Sequence, residues 1–131
     1  MRGTVRSTAA LIAVASVTAC GGGRSDEEQV RDTLVAFGRA TARQDYKALC
    51  ERILAPRLVR SVREAGLPCE QAMRRGFEGV RDPQISVGAV RIDGETATAD
   101  VRTSAAGQAP SRDTVSLEKI DDGWRIASLA R

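Results

Sequence analysis

The chain has 131 residues, with 20 basic and 17 acidic side chains, and this length suits one small domain. Basic and acidic residues are interleaved and aromatic residues are scarce, so nothing in the composition indicates a nucleic-acid-binding surface. The sequence contains no Gly-rich phosphate loop, zinc-ligand spacing or nucleophile elbow, so it predicts no metal and no other cofactor.

The N-terminal segment is typical of a secretory signal. Arg2 and Arg6 give it a positive start, and residues 9–19 form a run of 11 apolar or small residues. This run is much shorter than the roughly 20 residues that a membrane-spanning helix needs. The alternative is a buried core helix, which the three glycines after Cys20 disfavour. Residues 1–19 are therefore predicted to be a signal peptide.

The signal ends in Val17-Thr18-Ala19-Cys20, which closely resembles the bacterial lipobox. The resemblance implies that a diacylglyceryl group is attached to the Cys20 thiol, that the chain is cut before this residue, and that the new amine is acylated. Two or three acyl chains hold a protein firmly on a membrane, whereas one chain binds marginally. Residues 20–25 then form a lipidated, flexible tether. We expect an exported protein that is anchored to the extracytoplasmic face of the cell membrane.

Removal of the signal leaves a nearly neutral chain, with 18 basic and 17 acidic residues. Cys50 and Cys69 remain as an even pair. In an oxidising exported location a disulfide is the expected state, and a loop of this length would contribute roughly 3 kcal/mol to stability. Free buried thiols and a redox role are the alternatives, although the Cys-x-x-Cys spacing of redox pairs is absent.

The first half of the mature chain has helical periodicity. Ser25 and Glu28 form a capping box, and the apolar stripe from Val30 to Thr41 gives the first helix a buried face. Gly38 lies inside this helix, where glycine costs about 1 kcal/mol relative to alanine. Its presence predicts the close approach of another element, and a bend in the helix is the alternative.

Three further helices are predicted. Asp45 caps the second, whose apolar residues lie between 46 and 54 and which ends before Pro56. The third covers residues 58–65, and the fourth covers residues 69–80. Both cysteines lie on apolar helix faces, so a disulfide would join the second helix to the fourth.

After Pro83 the apolar residues alternate, which is typical of strands. A change of phase beside Gly88 indicates a β-bulge, and Asp93-Gly94 predicts a two-residue hairpin turn. Further strands are predicted at residues 96–102, 115–117 and 124–128, with a turn at 121–123. This order indicates an α+β domain, in which N-terminal helices pack on an antiparallel sheet of about four strands.

Three segments, residues 30–56, 92–99 and 117–126, carry a family resemblance. Through them, residues 26–131 resemble the nuclear-transport-factor-2-like (NTF2-like) superfamily, which includes ketosteroid isomerases and polyketide cyclases. The cysteine pair in the helical half is similar to that of actinobacterial lipoproteins of this type. The resemblance implies a curved, cone-like sheet that wraps around the helices and leaves a pocket at its open end.

The chain departs from the catalytic members of this superfamily. Those members rely on His or Asp inside the cone, often with Tyr donors, whereas this chain has no His and one Tyr, Tyr46. Strand alternation places Asp100 outside the cone, so no catalytic residue is carried over. For Tyr46 and Trp124 an ordinary core position is the alternative to a place in the pocket. The residues expected to line the pocket are Phe37, Tyr46, Met73, Phe77 and Trp124.

These observations predict a lipid-anchored envelope protein whose domain binds a small apolar ligand or a protein partner without catalysis. The alternative is an isomerase- or cyclase-type enzyme, which requires Tyr46, Asp45 or Asp100 inside the pocket. A homodimer is a third prediction, because sheets of this superfamily often pair back to back.

Overall fold

The structure is a computed structural model that describes residues 23–129. The predicted signal peptide and Cys20 lie outside the described residues. The helices are α1 Asp26–Ala42, α2 Tyr46–Ala48 with a π-helical turn Leu49–Ile53, α3 Pro56–Glu64 and α4 Cys69–Gly76. The strands are β1 Gln84–Asp93, β2 Thr96–Ser104, β3 Ser111–Ile120 and β4 Gly123–Ser128. None of these helices is both long enough and apolar enough to cross a membrane.

The first helix begins as predicted. The Glu28 N–H donates to Ser25 Oγ at 3.2 Å, and the Ser25 N–H donates to the Glu28 carboxylate at 2.9 Å. Two donors that the first turn leaves free are thereby satisfied. On the inner side Leu34 is fully buried, and Thr41 is buried as well. The Thr41 hydroxyl donates to the Phe37 carbonyl at 2.9 Å, which offsets the cost of burying it.

Gly38 lets α1 approach the sheet closely. A Cβ atom at this position would lie 2.4 Å from Cγ2 of Ile85 in β1, which is far shorter than a normal contact between carbon atoms. The predicted close approach is confirmed, and Ile85 is the neighbour that requires glycine here.

The second helical segment differs from the single helix that was predicted. Asp45 caps it as expected, because its side chain accepts a hydrogen bond from the Ala48 N–H at 3.0 Å. The helix then widens into a π-helical turn, in which the Leu54 N–H donates to the Leu49 carbonyl at 2.8 Å. Leu54 leaves the helix and forms a parallel bridge with Ile126 of β4. This pairing is a tertiary interaction, which helical periodicity does not reveal.

A disulfide joins the π-helical turn to α4, as predicted. It links Cys50 and Cys69, whose Cα atoms are 6.0 Å apart. However, α4 ends at Gly76 rather than at residue 80. The chain turns because Gly79 adopts a φ of +75°, a left-handed conformation that does not continue a helix.

The sheet is an antiparallel meander in the order β1-β2-β3-β4. The register of β1 on β2 shifts beside Gly88, which confirms the predicted bulge. The first hairpin turn lies one residue later than predicted, at Gly94-Glu95. Asp93 stays in the strand because it pairs with Thr96, and Gly94 supplies the positive φ, +59°, that a tight turn needs.

The helices cover the inner face of the curved sheet, so the predicted α+β arrangement is confirmed. Alternate residues of β2, β3 and β4 point into the core: Ala97, Ala99, Val101, Val115, Leu117, Trp124 and Ile126. They pack against Leu34, Leu49 and Leu54, which are fully buried. Each such leucine contributes roughly 1.5–3 kcal/mol to the free energy of unfolding.

Candidate functional site

An apolar cleft lies between α1, α4 and the inner face of the sheet. Its inner lobe has a volume of about 320 Å³ and is lined by Leu34, Phe37, Met73, Phe77, Val115 and Ile126, among others. An outer lobe of about 310 Å³ adjoins it. The residues shared by both lobes are Phe37, Gly76, Phe77, Ile85 and Thr103. A cleft of this size and lining suits a small apolar molecule.

Two phenylalanines form one wall of the cleft. The rings of Phe37, from α1, and Phe77, just after α4, meet edge to face with centroids 6.1 Å apart and planes at 64°. Met73 is buried one helical turn before Phe77. Its flexible thioether can adapt to irregular ligand shapes, so this wall offers a broad apolar surface.

One corner of the cleft is polar, and Thr103, Ser111 and Asp113 form it. In the pairing of β2 with β3, Ser111 stands opposite Thr103 and Asp113 stands opposite Val101. Asp113 shares the inner face of β3 with buried Val115, because side chains alternate along a strand. The Thr103 and Ser111 hydroxyl oxygens lie 2.8 Å apart, and Ser111 donates to Asp113 Oδ2 at 2.8 Å. We call these three residues the polar corner.

Three of the residues predicted to line the pocket, Phe37, Met73 and Phe77, surround the cleft. Tyr46 lies elsewhere in the core. Its ring is buried, and the guanidinium carbon of Arg74 stands 5.4 Å from the ring centroid, in the geometry of a cation–π contact.

Trp124 does not border the cleft. Its indole is hydrogen-bonded to the start of α1 and so links that helix to the sheet. Its Nε1 donates to Asp26 Oδ1 at 3.0 Å, and Lys119 Nζ donates to the same oxygen at 2.8 Å. The hydrogen bond from Lys119, followed by that from Trp124, holds the pKa of the Asp26 carboxyl below its usual range. The Asp26 carboxylate in turn raises the pKa of Lys119. The indole is therefore a core residue whose N–H has a fixed acceptor.

The groups that the enzyme prediction requires lie away from the cleft. Asp100 is on the outer face of the sheet, where the Arg91 guanidinium donates to both of its carboxylate oxygens at 3.1 and 3.3 Å. These bonds, and a further one from Thr114, lower the pKa of Asp100. Asp45 is the exposed cap of α2, and Tyr46 is in the core.

Asp113 was not among the predicted site residues, although the sequence contains its signal. It precedes Val115 and Leu117 by two and four residues, so the strand period places all three side chains on one face. Of the described residues that line the two lobes, Asp113 alone is ionisable. Within residues 23–129 no group of three His, Cys, Asp or Glu side chains is placed to hold a metal ion.

No protein-family model matches the chain, and no curated protein matches it. Solved structures do. An NTF2-like protein of unknown function from Silicibacter pomeroyi DSS-3 is 19% identical with a TM-score of 0.55, over 80% of this chain and 95% of that chain. A candidate dehydratase of the NTF2-like family from Streptomyces avermitilis is 17% identical with a TM-score of 0.52, over 77% and 90%. A de novo designed NTF2-fold protein is 15% identical with a TM-score of 0.53, over 83% and 89%.

The fold is NTF2-like. At these low identities the similarity establishes the fold alone, because one fold can carry unrelated functions. The NTF2-like domain has its apolar cleft between the helices and the inner face of the sheet, and within residues 23–129 the polar corner is the one ionisable part of the lining.

Proposed function

We propose that this protein is a lipid-anchored envelope protein whose NTF2-like domain binds a small apolar molecule in the cleft without transforming it. The export and anchoring parts of the proposal rest on the basic N-terminus, the short apolar run and the lipobox that ends in Cys20. An anchor at Cys20 would keep the domain beside the bilayer, where apolar molecules are concentrated.

The observation that carries the binding proposal is the apolar cleft with the Phe37–Phe77 pair and Met73 on one wall. Burial of apolar surface contributes about 25 cal/mol per Å². A ligand that buries about 200 Å² would therefore gain about 5 kcal/mol, before the costs of ordering it are subtracted. A gain of this size corresponds at best to a dissociation constant of about 0.2 mM, so the titration needs protein concentrations in that range.

The residues around the cleft support binding rather than catalysis. Enzymatic isomerisation needs one group that removes a proton and other groups that stabilise the charge that develops. Asp113 is the one ionisable residue in the lining, and the Ser111 hydroxyl already donates its proton to that carboxylate. The cleft thus lacks a second acid or base among the residues that the structure describes.

A variant that fills the cleft tests the binding proposal. A side chain at Gly76 would start in open space, because a Cβ there meets no atom within 4 Å, and Gly76 lines both lobes. The probe is 9-anthracenemethanol, a neutral apolar fluorophore. We expect saturable binding by the protein and at least about tenfold weaker binding by Gly76→Leu, since leucine occupies the space of the ligand.

The matched control is Arg75→Leu, which adds the same side chain at an exposed position of α4. Gly76→Leu should remain as stable as the native protein, because leucine favours a helix more than glycine does. Equal binding by the native protein and Gly76→Leu would remove the cleft as the binding site, and no binding of the probe would remove the proposal.

The enzyme prediction fails in the form that relied on Tyr46, Asp45 or Asp100, but Asp113 in the cleft gives a separate reason to name an isomerase- or cyclase-type enzyme as the second candidate. A carboxylate in an apolar cleft is the type of group that can remove a proton from a carbon atom beside a carbonyl. This function predicts that the protein accelerates double-bond migration in a small β,γ-unsaturated ketone, and that Asp113→Asn abolishes the acceleration. Rates equal to those of buffer would exclude it for this substrate class.

A protein partner on the outer face of the sheet is the other binding mode that we propose. This face is polar and carries the Arg91–Asp100 ion pair, so a partner would need complementary charges. For a homodimer through this face, light scattering should give twice the mass of one chain, and the mass of one chain would exclude it.

A further inference from the structure

The two hydrogen bonds of the polar corner are both oriented toward the Asp113 carboxylate. The Ser111 hydroxyl has one proton, and it donates that proton to Asp113 Oδ2. Ser111 Oγ must therefore accept the proton of the other hydrogen bond, so Thr103 Oγ1 is its donor. Both protons of the chain point toward the carboxylate, and the polar corner presents acceptors alone to the cleft.

No basic side chain neutralises this carboxylate within the part of the chain that the structure describes. The ion pairs found there all involve other acidic residues. Arg112, the preceding residue on β3, is exposed on the opposite face because side chains alternate along a strand. Asp113 is half-buried, and apart from Thr103 the other side chains that line the inner lobe are apolar. In such surroundings a carboxylate gains most from a charged hydrogen-bond donor.

The polar corner adjoins the apolar space. Thr103 borders both lobes, Ser111 borders the outer lobe and Asp113 borders the inner lobe beside Val115. A ligand whose apolar body lies against Phe37 and Phe77 can thus place one polar group at the corner.

We propose that the cleft selects amphipathic molecules with an apolar body and a hydrogen-bond donor head, of which a protonated amine is preferred, and that the Asp113 carboxylate is the group that binds this head. Anionic heads such as the carboxylate of a fatty acid are excluded, because they would bring two acceptors and two negative charges together. This inference rests on the proposed binding function and names the class of ligand.

Three fluorescent probes with one ring system test it. They are 9-anthracenemethylamine, with a cationic donor, 9-anthracenemethanol, with a neutral donor, and 9-anthracenecarboxylate, with an anionic acceptor. We expect the native protein to bind the amine at least about tenfold more tightly than the carboxylate, because a charge-assisted hydrogen bond replaces a repulsion. In Asp113→Asn the ratio should fall to about threefold or less, while the affinity for the alcohol changes by less than about threefold.

Asp100→Asn is the matched control, because it removes one negative charge from the adjacent strand but from the outer face of the sheet. It should keep the preference for the amine. If Asp113→Asn proves unstable in urea unfolding, Asp113→Ser, which also has no charge, must lose the same preference. Equal binding of the amine and the carboxylate by the native protein would overturn the inference, and so would an equal loss of preference in Asp100→Asn. Binding of the alcohol in either case would leave the proposed binding function intact, whereas failure of the native protein to bind the alcohol would remove both.

Discussion

Gly38→Ala tests whether contact with β1 requires the glycine in α1. Gly38 lies inside the helix Asp26–Ala42, where alanine is ordinarily favoured over glycine by about 1 kcal/mol. We expect the opposite sign here, because the new Cβ atom would lie 2.4 Å from Ile85 Cγ2.

The size of the effect follows from the stiffness of Ile85. Its Cγ2 atom is attached directly to Cβ of a β-branched residue on a strand, so it can move only if χ1 or the backbone changes. Overpacking of this kind costs about 1–3 kcal/mol. After the helix preference of about 1 kcal/mol is subtracted, Gly38→Ala should lower the free energy of unfolding by up to about 2 kcal/mol. In an Ile85→Ala background the obstructing atom is gone, and the same change should stabilise the protein by about 1 kcal/mol.

Urea unfolding of the four proteins in this cycle, followed by the fluorescence of Trp124, gives the coupling free energy directly. Trp124 is the one tryptophan of the chain. Gly76→Ala is the control, because its Cβ meets no atom within 4 Å, and it should stabilise both backgrounds equally. Stabilisation of the native background by Gly38→Ala, or a coupling below about 0.5 kcal/mol, would refute the steric reasoning.

Three further predictions concern the disulfide, the start of α1 and the anchor. Reduction of the Cys50–Cys69 disulfide should lower the free energy of unfolding by roughly 3 kcal/mol, and a variant with alanine at both positions should not respond to reductant in urea unfolding; a response there would show that reductant acts elsewhere. The lowered pKa of Asp26 means that its contribution to stability is complete above about pH 4 and is lost as the pH falls through the lowered value. Asp26→Asn should therefore make the loss of stability in acid shallower, and an acid profile identical to that of the native protein would contradict this contact. Cys20→Ser should abolish labelling by an alkyne fatty acid and partitioning into membranes, and labelling at the native level would overturn the lipobox assignment.

Features that depend on neighbouring residues were predictable from the sequence. The capping box at Ser25 needs one hydroxyl and one carboxylate three residues apart, and both cap bonds form. The bulge beside Gly88 is visible as a change of phase in the alternation. The close approach at Gly38 was predictable in kind, but the identity of its neighbour was not, because Ile85 belongs to another element.

Features that depend on distant partners were missed. The π-helical turn ends where Leu54 pairs with Ile126, which lies on the last strand. No local sequence pattern predicts that pairing. Asp113 illustrates the difference for the site. Its place on the inner face follows from strand alternation alone, whereas its position beside an open cleft depends on how α1 and α4 pack over β3.

The sequence by itself determined the order of helices and strands and which side of β2 faces inward, because periodicity and capping act over a few residues. Only the tertiary structure decided which inner residues fill the core and which border the cleft. Phe77 and Trp124 are both aromatic residues that point inward. Phe77 faces the cleft, whereas Trp124 lies in the core and is hydrogen-bonded to Asp26, which is 98 residues earlier in the chain. Local periodicity sets the direction of a side chain, but its neighbours are supplied by elements that are distant along the chain.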